Sequence, residues 1–414
     1  MKTSFASTVC VTLGLTLQLL AQPAGGDPAL QPVPAIAEPG SSYLLEQRLF
    51  QGIPGLARAP GGRLWATWYG GGADEGPDNY VMLATSADNG RTWSQIVRVI
   101  DPPGLVRAYD PGLWLDPQGR LWWFYMQSYG HWDGRSGVWA VTTGEPDKAA
   151  PHWSEPRRLM DGIMMNKPTV RRNGDWLFPV SIWADAPAQN LPPSDRKFVP
   201  PQQWHWDAAT VGAHVYRSRD QGQSFEDLAK VRTKEPSPDE HMIVERRDSS
   251  LWMLIRHRGG IAESVSRDGG QTWAAPQQSG IPHTISRFFI RRLQSGKLLL
   301  IKHHNPGIDP AWMQGGAIPK VKQGRSHLAA FLSSDDGATW TGGLLLDERN
   351  NVSYPDGDQA PDGRIFVIYD FNRKADREIL VATFTEGDIT AGKLVNPESR
   401  LRLLVNTAAP AKAK

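Results

Sequence analysis

The chain has 414 residues, with 45 Lys and Arg against 43 Asp and Glu, and the net charge of +2 excludes a field strong enough to make nucleic acid or an anionic membrane its general partner. Hydrophobic residues at 40%, including 17 Trp, supply a core and exclude wholesale disorder, while 41 Gly and 33 Pro mark a turn-rich chain. A single Cys excludes both an intramolecular disulfide framework and a zinc site built on cysteines.

In chain order, Lys2 precedes a mostly apolar run over residues 5–20, followed by Ala21-Gln22-Pro23-Ala24. A charged start, a short apolar stretch and small residues predict a secretory signal over residues 1–24, and so a secreted or periplasmic protein. The run is too short, too often broken by Ser and Thr and too poor in flanking positive charge for a membrane anchor. Cys10 falls inside this signal. Residues 25–40, rich in Pro, Ala and Gly, read as a linker; residues 41–405 form the folded body, and residues 406–414 a flexible tail.

Within the body, a polar turn followed by an aromatic and β-branched strand recurs. Its six copies begin Gly62-Arg63-Leu64-Trp65, Gly119-Arg120-Leu121-Trp122, Gly174-Asp175-Trp176-Leu177, Ser250-Leu251-Trp252, Gly296-Lys297-Leu298 and Gly363-Arg364-Ile365. They are spaced by about 60 residues on average, somewhat more than common propeller blades. Each copy is too short and too apolar on both faces to stand alone, so burial requires stacking between neighbouring sheets. A second repeat runs in step: Ser-x-Asp-x-Gly-x-Thr-Trp at residues 86–93, 266–273 and 333–340, a degenerate copy at 218–225, and a decayed one expected near 142–153. Its Asp caps backbone amides of its own turn, its Gly supplies positive φ, and its Trp pins the turn to the sheet. The run near residues 43–50 is expected to pair with the strand at 379–384, closing the ring and covering its edges.

These boxes resemble the Asp-box, or BNR, repeats of the sialidase superfamily, and the resemblance spans roughly residues 45–389. It implies an all-β, six-bladed β-propeller of sialidase type. It also implies a site with three Arg for a substrate carboxylate, a Tyr nucleophile with a Glu as its base, and an Asp as general acid and base. By position in the family's motifs, Tyr354 in Ser353-Tyr354-Pro355-Asp356 is the nucleophile, with Pro355 in place of the usual Ser. Glu240, 16 positions before Arg256, is the base; Arg256 and Arg325, the latter 29 positions before Tyr354, are two carboxylate clamps. Asp370 replaces the Glu that commonly braces an Arg. Asp74, in the loop Gly70-Gly71-Gly72-Ala73-Asp74-Glu75-Gly76-Pro77-Asp78, is the acid, with Glu75 and Asp78 competing for that role. The family's first Arg is missing: Phe50-Gln51-Gly52-Ile53-Pro54 has Gly52 in its place, and Arg48 or Arg58 are the nearby substitutes.

Tyr109, Asp110 and Arg287, with His131, Asn166, Lys167 and His303, fall near the ends of predicted strands, where polar groups face a ligand or cap the strand. Trp68, Trp122, Trp132 and Trp183 are candidates to stack on sugar faces. No cofactor is implied, and no metal, since His303 and His304 are adjacent on a strand and point to opposite faces. The expected function is a secreted, retaining, monomeric exo-glycosidase whose partner is a glycan ending in sialic acid or another acidic sugar, without nucleic-acid binding or stable membrane insertion. Two other readings keep the propeller. One is a hydrolase or lyase on a uronic-acid or rhamnose-containing polysaccharide, with His241, His303 or Tyr109 as base. The other is a glycan-binding propeller without turnover.

Overall fold

The computed structural model describes residues 26–184, 191–201, 209–234, 237–304 and 324–408; the expected signal and residues 409–414 lie outside these. The chain forms six four-stranded antiparallel sheets arranged as a ring of blades. Blade 1 is β1 (Gln51–Arg58), β2 (Leu64–Gly70), β3 (Tyr80–Ser86) and β4 (Arg98–Ile100). Blade 2 is β5 (Val106–Leu115), β6 (Leu121–Tyr129), β7 (Gly137–Thr143) and β8 (Arg157–Asp161). Blade 3 is β9 (Thr169–Val170), β10 (Trp176–Ile182), β11 (Gly212–Ser218) and β12 (Glu226–Val231). Blade 4 is β13 (Met242–Glu245), β14 (Leu251–His257), β15 (Gly260–Ser266) and β16 (Gln277–Gln278). Blade 5 is β17 (Phe289–Arg292), β18 (Leu298–His303), β19 (Leu328–Ser333) and β20 (Thr341–Asp347). Blade 6 is β21 (Val352–Gln359), β22 (Ile365–Phe371), β23 (Glu378–Phe384) and β24 (Arg400–Thr407).

All six turn-and-strand repeats become the second strand of a blade, where both faces are covered by neighbours, which is why they read as continuous apolar runs. Trp114 of β5 and Trp176 of β10 meet edge to face at 4.8 Å, joining blades 2 and 3. Two of the proposed sugar-stacking residues belong to this packing instead. Trp68 is fully buried with its indole N–H on Gln51 Oε1 at 3.0 Å, and Trp122 is buried with its own on Asp116 Oδ2 at 2.9 Å. A large aromatic whose N–H is already satisfied inside the blade has neither surface nor donor left for a sugar.

Residues 43–50 do not pair with β23. The sixth blade supplies its own outer strand, β24, after a short helix α1 (Glu386–Ala391), so that edge is already occupied. Side chains close the seam between blades 1 and 6: Gln51 Nε2 donates to Arg377 O at 2.6 Å, and Arg377 Nη1 to Leu49 O at 3.0 Å. Buried Arg48 donates to Asn406 Oδ1 at 2.9 Å, which accounts for it structurally rather than as a substitute clamp. Ahead of the ring, Ala29 and Val33 are buried and Ile36 bridges to Val99 on β4. No helix among the described residues is long and apolar enough to cross a membrane.

Strand direction sorts the two ends of the ring. Each innermost strand runs from one end to the other, the second returns, and the third ends where the Asp-boxes sit. The boxes therefore lie at the end opposite to the starts of the innermost strands. Their geometry repeats closely. In the box after β15, Asp268 accepts the Thr272 amide at 2.9 Å and its hydroxyl at 2.6 Å, Ser266 Oγ accepts the Gly270 amide at 2.8 Å, and Trp273 donates to Gly270 O at 3.0 Å. The hydroxyl and amide donors hold the Asp268 carboxyl down at about 2. Its folded value lies below its unfolded one, so its stabilisation is present above about pH 4 and is lost as pH falls towards 2. Asp268→Ala is expected to lower the thermal midpoint by a few degrees, roughly 2–4 °C, while leaving activity unchanged; calorimetry with a parallel rate measurement checks both.

Candidate active site

Three innermost strands carry the same irregularity at the end opposite to the Asp-boxes. Register shifts fall at Gly52/Gly55 in β1, Tyr109/Gly112 in β5 and Ser353/Asp356 in β21. Each is centred on a residue before proline with positive φ: Ile53 at 57°, Asp110 at 46° and Tyr354 at 55°. Such φ costs on the order of 1–2 kcal/mol in a residue with a Cβ. Proline removes a ladder donor at the same place, so the strand bulges and the preceding side chain is re-aimed. Pro355, the departure from the expected Ser, thus makes the bulge that directs Tyr354.

Tyr354, Glu240 and Arg256 meet there. Tyr354 Oη donates to Glu240 Oε1 at 3.0 Å, and Arg256 Nη1 donates to the same oxygen at 2.5 Å and to Tyr354 Oη at 3.2 Å. All three are buried, and Glu240 Oε2 has no hydrogen-bond partner among the described residues. Burial and the Glu240 charge push the Tyr354 phenol up, while the Arg256, Arg325 and Arg373 guanidinium groups oppose this. Arg325 lies over the Tyr354 ring, 5.2 Å from its centroid, and Arg373, on the turn after β22, lies 4.7 Å from it. Arg373 pairs with Asp370 at 3.5 Å and with Glu75 at 3.6 Å. Asp370 is fully buried, accepting from Ser353 Oγ at 2.6 Å and the Ile53 amide at 2.8 Å, so it braces the wall and does not reach the pocket.

A cavity of about 520 Å³ opens here, lined by Asp74, Glu75, His131, Arg325, Arg373 and Lys374 among others. Asp74 stands at its rim and is paired with Lys374. Partial burial pushes the Asp74 carboxyl up, but Lys374 and the Glu75 amide more than offset this and leave it below the usual range. Glu75 sits one residue further in, 3.6 Å from His131. Asp78 is exposed and does not line the cavity. Trp132, stacked on His131 at 4.9 Å and edge-on to Trp183 at 4.9 Å, stands beside this loop.

The remaining polar candidates are not part of this lining. Arg287 Nε donates to Asn166 Oδ1 at 2.7 Å, and Asn166 Nδ2 to the carbonyls of Glu240 and His241 at 2.9 and 3.0 Å, so these two fix the backbone that carries Glu240. Lys167 Nζ plugs the axis, donating to Leu56 O at 2.6 Å, to Leu113 O at 2.9 Å and to Asp356. Tyr109 is buried, with its hydroxyl on Ser128 and Ser136 and its ring under Arg107 at 4.4 Å, so it supports Arg107 rather than meeting a ligand. The histidines proposed as bases are closed off as well. His241 bonds His214 O at 2.9 Å and Ser181 Oγ at 3.3 Å, His303 bonds Ser326 O at 3.0 Å, and burial holds both down at about 3.

Asp110 is buried, and burial aided by Glu75 and Glu240 pushes its carboxyl up to about 7. Asp239 is pushed up to about 7 by burial and the charge of neighbouring Glu240. A raised folded value means that stabilisation is full below about pH 4 and is lost as pH rises through 7. The thermal midpoint should therefore fall between about pH 4 and 7 and level off above that, and Asp110→Asn should flatten the slope; melting curves from pH 4 to 8 test it.

Sequence reasoning did not identify Arg373 or Arg107. Arg373 follows the strand end at Asp370, itself expected to bind substrate and found instead to brace Arg373, and Arg107 stands two residues before Tyr109. The repeated residue-Pro-Gly signature at Ile53-Pro54-Gly55 and Asp110-Pro111-Gly112 was the available signal for the bulges.

Residues 62–367 match the family model described as BNR repeat-like domain. A sialidase of Bacteroides fragilis (strain YCH46) is 23% identical over 336 residues, covering 73% of this chain and 56% of that protein, so the chain spans little more than half of that relative. Among solved structures, the NanB sialidase from Streptococcus pneumoniae aligns with a TM-score of 0.57 at 12% identity, over 87% of this chain and 71% of its own. An α-L-arabinofuranosidase from Fusarium graminearum aligns with a TM-score of 0.56 at 11% identity, over 87% and 99%. At these identities the likeness to the solved structures is one of fold.

Proposed function

The chain belongs to the BNR repeat-like family and has the six-bladed propeller of the sialidase superfamily, and from that premise we propose that it is a retaining exo-glycosidase removing a terminal acidic sugar, sialic acid, from glycans. The observation that carries this reading is the Tyr354–Glu240–Arg256 cluster, over whose phenol lie Arg325 and Arg373 from the lining of the cavity. Binding alone has no use for a buried phenol hydrogen-bonded to a carboxylate.

In this mechanism Tyr354 Oη attacks the anomeric carbon as its proton passes to Glu240 Oε1, and the bond to the leaving oxygen breaks as that oxygen takes a proton from Asp74, which is protonated once the entering glycan displaces Lys374 from it. Asp74 then accepts a proton from water, water attacks the same carbon, and the phenolate leaves and regains its proton from Glu240, so configuration is retained. A neutral phenol approaches a centre that bears its own carboxylate with less repulsion than a carboxylate nucleophile. Arg256, bonded to both partners, stabilises the charge that develops on the phenolate. Arg325 faces the substrate carboxylate. The expected signal at residues 1–24 supports export, which is part of this proposal.

Two observations favour a second reading, a propeller hydrolase for a different sugar: Glu75 already offsets part of the charge of Arg373, and the fold is shared with an arabinofuranosidase. Incubation with a fluorogenic α-sialoside, followed by NMR of the first-released anomer, separates the two. Release of the α-anomer supports sialidase action. Cleavage of an arabinofuranoside with no release from any sialoside supports the second reading.

The acid has its own test. Loss of a general acid matters most for poor leaving groups and least for activated aryl ones. Asp74→Ala is expected to lower kcat by about 10²-fold or more on a natural sialoside and by much less on the aryl substrate. If Glu75→Ala shows that contrast instead, the role moves one residue along.

A further inference from the structure

We infer that Arg373 supplies the third guanidinium of the carboxylate clamp, delivered from the sixth blade into space that Gly52 leaves empty on the first. This deepens and rests on the acidic-sugar reading above. The main observation is steric. A Cβ at Gly52 would stand 2.1 Å from Arg373 Cδ and 2.4 Å from its Cγ, so no side chain fits at position 52 while Arg373 lies where it does. The Gly52 backbone is not in the left-handed region, so glycine is required there for close approach and not for conformation. Residue 52 and residue 373 therefore compete for one volume.

The placement of Arg373 is built rather than incidental. Its backbone carbonyl accepts the Gln51 amide at 3.3 Å, its Nε faces the fully buried Asp370 at 3.5 Å, and its guanidinium lies over the Tyr354 ring at 4.7 Å. Arg256, Arg325 and Arg373 thus approach one phenol from blades 4, 5 and 6. Asp370 and Glu75 pair with Arg373 and Glu240 with Arg256, while Arg325 has no ion pair among the described residues. An anionic group entering beside Tyr354 meets Arg325 and Arg373 together, and planar guanidinium forks suit a carboxylate.

The test is an exchange of positions. Affinity for the 2,3-didehydro glycal of N-acetylneuraminic acid and for its carboxamide is measured by calorimetry, with KM and kcat on the fluorogenic sialoside. Arg373→Ala is expected to weaken the acid by about 10–100-fold, to change the carboxamide little and to raise KM more than it lowers kcat. Gly52→Arg alone should lose binding and stability through the clash. Gly52→Arg combined with Arg373→Gly should regain most of the lost affinity for the acid, a recovery that a merely structural Arg373 would not produce. Wild type that cleaves the sialoside, with Arg373→Ala retaining the preference for acid over amide, overturns the clamp and leaves the glycosidase reading standing. Wild type that binds the acid through Arg373 but cleaves no sialoside upholds the clamp and removes the sialidase reading. Wild type that neither binds nor cleaves overturns both.

Discussion

Tyr354→Phe should lower kcat/KM on an α-sialoside by about 10³-fold or more while the thermal midpoint stays within a few degrees of the wild type. The change removes one oxygen. Among the described residues that oxygen hydrogen-bonds only Glu240 and Arg256, and those two are bonded directly to one another at 2.5 Å, so the buried charges remain paired without it. The bulge that presents residue 354 depends on Pro355 and the Asp356 contacts and not on the phenol. A large kinetic effect with a small stability effect is thus the signature of a nucleophile here. Retention of more than a tenth of the activity would rule Tyr354 out and shift attention to the carboxylates around it.

The second large effect concerns stability. Lys167 reaches the axis from the start of blade 3 and holds carbonyls of blades 1 and 2 together with Asp356 of blade 6, and both partners of this pair are buried. Removing one member of a buried pair leaves an uncompensated charge, at a cost of about 3–5 kcal/mol. Asp356 would keep the Leu56 amide at 2.8 Å and a distant Arg287 at 3.8 Å, too little to replace an ammonium. Lys167→Met is therefore expected to lower the thermal midpoint by roughly 4–6 °C. The pair Lys167→Met with Asp356→Leu should be milder than either change alone, because apolar replacement of both partners removes the orphaned charge. Additive losses in that cycle would show that the two residues act independently.

The architecture was legible because burial forces it on the sequence. Strands covered on both faces read as apolar runs after a turn, and Asp88, Asp220, Asp268 and Asp335 mark their own turns through local hydrogen bonds. The Tyr354–Glu240–Arg256 association was legible only through resemblance, since 98 positions separate Arg256 from Tyr354 and no local pattern links them. Arg373 was not legible because its role is defined by an absence 321 positions away, at Gly52, and by a turn whose direction the sequence does not encode. Trp68 and Trp122 were misassigned for a related reason. Indole on a strand has the same sequence signature whether it faces a neighbouring blade or a ligand, and only the ring geometry separates the two.

That every blade is made of four consecutive strands bears on how the ring can be cut. Among the described residues no strand is borrowed across the junction of first and last blades; that joint is held by side chains and by the main-chain hydrogen bond from the Gln51 amide to the Arg373 carbonyl at 3.3 Å. A circular permutant begun at the second blade and ended at the first would rebuild all six sheets without breaking a single ladder. The carboxylate pocket is less forgiving, because Gly52 and Arg373 meet across that one joint. Such a permutant would hold them on neighbouring links of one continuous chain, turning a contact between distant ends into a local one.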